Sequence, residues 1–85
     1  MRIAVASALR SYTGNREHVA ASGATVGELL DSLDASYPGI RFRIVDEQER
    51  IRVHIRIFVN RELADLRRRV AEDDDVQILC ALSGG

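Results

Sequence analysis

The chain has 85 residues, a hydrophobic share of 46% and a formal net charge of −1. That length makes one domain with a small core and little space for a catalytic pocket inside it. The near-neutral charge argues against nucleic-acid binding by phosphate neutralisation, and no apolar run approaches the ~20 residues that span a bilayer. A single cysteine excludes an internal disulfide and makes a reducing cytoplasm the expected compartment. All 12 basic residues are arginine. Codon usage is the plainer reading of that fact.

In chain order, residues 2–9 (RIAVASAL) place Ile3, Val5 and Leu9 on one face with a period of two, which predicts a first strand. Residues 11–15 (SYTGN) read as a turn, and residues 16–21 as a short second strand forming a hairpin with the first. Thr25 followed by Glu28 is a capping box, and Val26, Leu29, Leu30, Leu33 and Tyr37 form one helical stripe that ends at Pro38-Gly39. Gly27 within the first turn implies a close packing contact, because glycine otherwise costs up to about 1 kcal/mol against alanine there. Residues 41–49 read as a charged connection with a short strand over 42–45.

Residues 50–60 (RIRVHIRIFVN) alternate cleanly and predict a long strand. Ile51, Val53, Ile55, Ile57 and Val59 point inward, and Arg50, Arg52, His54, Arg56 and Phe58 point outward. Asn60-Arg61 is a turn. Residues 62–70 fit either an edge strand or a helical turn. The acidic turn 72–75 leads into a last strand over 76–82, placed beside the first. The fold class is α+β: a mixed four- to five-stranded sheet grasping one main helix.

The stretches TVGELLDSLDASYPGI, IFVNRE and EDDDVQILCALSGG together resemble the MoaD/ThiS family of ubiquitin-like sulfur carriers, over nearly the whole chain. The resemblance implies a β-grasp domain over residues 1–82 and a flexible Ser-Gly-Gly tail over 83–85. It also implies a cycle in which Gly85 is the reacting residue. A ThiF/MoeB-like adenylating enzyme activates the Gly85 carboxylate with ATP and magnesium. A donor of rhodanese or cysteine desulfurase type then converts it to a thiocarboxylate, and an acceptor synthase takes the sulfur. The chain itself is then a cosubstrate that binds no metal and no cofactor, with no nucleic-acid or membrane partner. Glycines suit this role, since a backbone without Cβ can thread a narrow channel and approach a phosphate closely. Two successive glycines arise by chance about half a per cent of the time at ordinary composition.

Where this chain departs from the family pattern, Arg61 stands after Asn60 in place of a glycine, Asp73 occupies the acidic turn where a glycine is usual, and the prolines common in the last strand near Cys80 are missing. The expected partner-binding residues are Gly84, Ser83, Leu82, Ala81, Leu79, Phe58, Arg56 and Arg52, the last four as an apolar patch on the outer sheet face rimmed by arginine. A ubiquitin-like modifier joined to target lysines through the same tail is the alternative. Molybdopterin, cysteine and transfer-RNA thiolation pathways all use related carriers, and the long third strand resembles the cysteine-type ones. Cys80 reads as a small buried hydrophobe, His18 and His54 as solvated side chains rather than metal ligands, and residues 67–69 as a solvated arginine run balanced by the acidic turn.

Overall fold

The computed structural model describes residues 1–80. Its elements run β1 (Arg2–Val5), a 3-10 turn (Ser7–Tyr12), β2 (His18–Ala20), α1 (Val26–Ser36), α2 (Ile40–Ile44), β3 (Ile55–Val59), β4 (Glu62–Leu63) and β5 (Val76–Cys80). One five-stranded sheet forms in the order β2-β1-β5-β3-β4. β5 is central, parallel to β1 and antiparallel to β3, while the two hairpins β1–β2 and β3–β4 form the wings. This is the β-grasp arrangement expected from the sequence.

The core lies between the inward face of the sheet and the helices. Ile3 and Val5 from β1, Ile55, Ile57 and Val59 from β3, and Val76 and Ile78 from β5 meet Val26, Leu29, Leu30 and Leu33 of α1, all nearly inaccessible to solvent. Each such side chain contributes roughly 1.5–3 kcal/mol by leaving water. Tyr37, the last member of the predicted stripe, is the C-cap of α1 and only partly buried.

The N-terminus of α1 is closed as the sequence suggested, with one shift. The Glu28 N–H donates to Thr25 Oγ1 at 3.2 Å. The Glu28 carboxylate reaches back one residue beyond the cap, accepting from the Ala24 N–H at 2.8 Å. A Cβ on Gly27 would sit 3.3 Å from the Leu66 carbonyl oxygen, which is the close contact its position implied.

Three expectations change and one open choice is decided. The first strand ends at Val5, and Leu9 enters the core from the 3-10 turn. Val5 and Leu9 are four residues apart, a spacing that satisfies both a strand and a helical turn, so alternation alone misjudged it. Residues 42–45 are not a strand. Ile40 and Ile44 lie one helical turn apart and are buried, which selects α2 and turns Phe42 outward. The long third strand is two pieces. Ile51 bridges to Val45, the chain turns at 53–54, and β3 begins only at Ile55, leaving Val53 86% exposed. Finally, the ambiguous 62–70 segment is a two-residue edge strand followed by turns, with Arg69 bridging to Thr25. The last strand is described through Cys80; its predicted continuation over 81–82, and the tail 83–85, lie outside the described residues.

Two polar clasps fix the connections. Arg41 places Nη2 2.8 Å from Glu49 Oε1 and Nε 2.8 Å from Asp31 Oδ1, joining α1, α2 and the loop that follows. The Glu49 contact is a two-pronged hydrogen bond, whereas the Asp31 contact is a charge-to-charge approach without aligned hydrogen-bond geometry. At the other end, Asn60 and Arg61 both take positive φ, 51° and 70°, as a two-residue hairpin turn requires. Asn60 Oδ1 accepts from the Asp75 N–H at 2.9 Å and its Nδ2 donates to Asp74 Oδ1 at 3.0 Å, tying that hairpin to the start of β5.

Candidate functional site: the outer sheet face at the root of the carboxyl end

β5 carries the chain between β1 and β3 to Cys80, so residues 81–85 begin at one end of the central strand. Of the expected site residues, Ala81, Leu82, Ser83, Gly84 and Gly85 lie outside the described residues. The other four can be placed.

The β3–β5 register sets Arg56 opposite Leu79 and Phe58 opposite Gln77. Phe58 and Leu79 are therefore diagonal neighbours on the outer face, close enough for an aromatic side chain to touch its partner. Leu79 is 39% exposed and Phe58 half-buried. Arg56 does stand at the rim, where Nη1 donates back to the Val53 carbonyl at 2.6 Å and the Ile55 carbonyl at 3.1 Å.

Arg52 is a correction. It precedes the turn at 53–54 and so never joins the strand. Its Nε donates to the Phe42 carbonyl at 2.8 Å and its guanidinium lies 4.6 Å from the Phe42 ring centroid. The side chain serves α2, and the sheet rim has Arg56 alone from the expected pair.

One member of the face was missed. The two-residue Asn60-Arg61 loop pairs Val59 with Glu62 and Phe58 with Leu63. Leu63, 65% exposed, thus extends the apolar row Leu63, Phe58 toward Leu79. The signal was present in the turn: a two-residue hairpin fixes its own register, and counting outward from Asn60-Arg61 gives the pair directly.

The opposite end of the outer face is polar. Arg2, His18 and Gln77 line a shallow concavity with Glu72, Asp73, Asp74 and Asp75. Asp74 is held below the ordinary carboxylate range, first by the Ala71 N–H it accepts and then by Asn60. The face thus grades from apolar beside Cys80 to acidic at the far end. The arginine run meets the acidic turn through Arg68, whose charge also helps hold Asp74 down, while its ion pairs are with other carboxylates. Arg68 pairs with Glu62 at 3.1 Å and Arg67 approaches Asp65 at 3.7 Å. Cys80 is partly buried on the inward row across from Ile55, less enclosed than expected. His18 is exposed and His54 half-buried. Among the described residues no three His, Cys, Asp or Glu side chains are grouped to hold a metal, and no helix is long and apolar enough to cross a membrane.

A β-grasp sheet on one main helix, with an apolar outer face at the root of a Ser-Gly-Gly end, defines a ubiquitin-like carrier. Comparison with known proteins gives the family. The sequence model of the ThiS family matches residues 3–85. The sulfur carrier protein CysO of Mycobacterium tuberculosis is 35% identical over 89 residues, covering 98% of this chain and 96% of that protein. A chain in a crystal structure of the Amycolatopsis orientalis BexX/CysO complex superposes with a TM-score of 0.91 at 34% identity, covering 99% of this chain and 98% of that one. SAMP1 from Haloferax volcanii superposes at 0.79 with 30% identity, covering 100% and 98%. The chain belongs to the ThiS family, and it is a sulfur carrier protein.

Proposed function

We propose that the Gly85 carboxylate is the cargo end. A ThiF/MoeB-like enzyme adenylates it with ATP and magnesium, and a rhodanese- or desulfurase-type donor displaces AMP to leave a thiocarboxylate. An acceptor synthase then takes the sulfur. Adenylation matters because a carboxylate is a poor electrophile and a mixed anhydride a good one. The chain contributes the acyl group and an address, while the acid–base and phosphate-binding groups belong to its partners; it acts as a protein cosubstrate in the cytoplasm and holds no cofactor of its own. Cysteine-type sulfur transfer is the pathway we propose. Its support is the full-length similarity to proteins named CysO, since the long third strand that suggested it in the sequence is only the five residues of β3. The BexX/CysO complex is a carrier of this fold in complex with another protein, which supports a docked mode of action.

The carrying observation is that a chain ending in Gly-Gly matches sulfur carriers from end to end. Deleting Gly84 and Gly85 should abolish loading while leaving the melting temperature within experimental error of the parent. Retained sulfur transfer by the truncated chain would refute the assignment.

The modifier reading has its own support in the SAMP1 likeness, SAMP1 being a small archaeal modifier protein. It predicts covalent adducts to target proteins that survive reductant on denaturing gels, where a carrier alone gives none.

A further inference from the structure

We infer that this chain is a one-way acyl donor: once activated, its carboxyl end finds no acceptor amine on its own molecule. The inference rests on the carrier reading above and adds a chemical specificity to it.

An acyl-adenylate is consumed by any neutral primary amine that reaches it. The nitrogen lone pair forms a C–N bond, the C–O bond to phosphate breaks, AMP leaves with that electron pair, and a proton is released. The product is an amide, and the sulfur cycle is lost. A tethered amine competes especially well, because attachment gives it a high effective concentration.

The first barrier is compositional. All 12 basic side chains are guanidinium groups, so there is no lysine amine. Arginine stays protonated at any physiological pH and offers no lone pair for attack. The second barrier is topological and concerns the α-amino group of Met1. β5 runs parallel to β1, with Ile3 opposite Val76 and Val5 opposite Ile78. Cys80 therefore lies six strand positions beyond the level of Met1, about 20 Å along the sheet. The five residues after Cys80 span at most about 17 Å in any conformation. They start at the wrong end of the sheet to meet that amine.

The third barrier is local. The Met1 ammonium sits 3.0 Å from Glu72 Oε1 in a solvent-exposed ion pair, the Met1 side chain packs against the core, and the Met1 carbonyl accepts the Ala21 N–H at 2.9 Å. The N-terminus is a pinned end of the β1–β2 ladder. Cys80, the one thiol, is turned to the inward row and packs against the core.

The test adds back an amine within reach. Arg16 is exposed, and the pairing of Ala4 with His18 sets residue 16 at the level of Ala6, next to that of Cys80. Val53 is two residues beyond Ile55, the partner of Cys80. Arg16→Lys and Val53→Lys each place a lysine near the root of the tail without touching the apolar face. Parent and variants are incubated with the adenylating enzyme, ATP and magnesium, with no sulfur donor. Pyrophosphate release is followed alongside intact mass under reductant.

All three proteins should release pyrophosphate. The variants should accumulate a species lighter by one water, the internal amide, at least about tenfold above the parent, as expected for a tethered nucleophile. Internal amide in the parent at the variants' level would overturn the inference, as would its absence from both active variants. No pyrophosphate from the parent would instead sink the carrier reading, and this inference with it.

Discussion

Arg61 holds φ at 70°, a left-handed conformation that costs an L-residue with a Cβ roughly 1–2 kcal/mol. The turn it occupies favours Asn-Gly. Arg61→Gly should therefore stabilise the fold by about 1 kcal/mol, read as a rise in the denaturant midpoint at constant slope. An unchanged or lowered midpoint would show that the arginine side chain makes a compensating contact. The carboxylates at the loop ends set the response to acid. Asp74 is shifted down by the Ala71 N–H and Asn60, Asp46 by the Arg50 and Gln48 N–H groups, and Glu49 by Arg41. A carboxyl whose folded pKa lies below its unfolded value adds stability above the unfolded value, and that stability is lost as pH falls through the folded one. Melting temperature should hold from neutral pH to about 5 and fall below about 4. Asp74→Asn should lower the neutral value and flatten the acid slope. An equal slope in the variant would remove Asp74 from the account.

At the scale of elements, the legibility of the sequence followed how much each pattern constrained the backbone. The α1 cap and stripe were readable because a capping box, helical spacing and a Pro-Gly stop all agree. The 51–59 alternation misled because inward Ile51 and Ile55 fit both one long strand and a bridge, a turn and a short strand. Only the exposure of Val53 separates these, and exposure is a property of the packed molecule. Arg52 followed that error, since its place on the rim depended on the strand reaching it. Leu63 was hidden by an undecided segment, although the Asn60-Arg61 turn fixed its partner. The corrected outer face, with Leu79 diagonal to Phe58 and Phe58 paired with Leu63, should act as a docking surface. Leu79→Asp should keep the parent's circular dichroism and cost about tenfold or more in loading efficiency, since a central apolar anchor carries 2 kcal/mol or so of binding. Normal loading by the folded variant would take Leu79 out of the interface.

For the molecule as a whole, the topology separates two tasks. The wings and helices bury the core, and the central strand carries the chain to Cys80, next to Leu79 of the apolar outer face. The fold class was legible because the β1–β2 hairpin and the placing of the last strand beside the first, both expected from the sequence, already close the sheet around α1. The chemistry was legible only through the Gly-Gly pair and the family resemblance, because among the described residues no cluster of side chains marks a metal centre. The most direct measurement is the intact mass of the purified chain after incubation with its adenylating enzyme, ATP, magnesium and a sulfur donor. The expected product is the intact chain with one oxygen at Gly85 replaced by sulfur, reversible by hydrolysis. A mass that stays at the parent value under conditions that load a known carrier, or sulfur found on Cys80 instead, would contradict it.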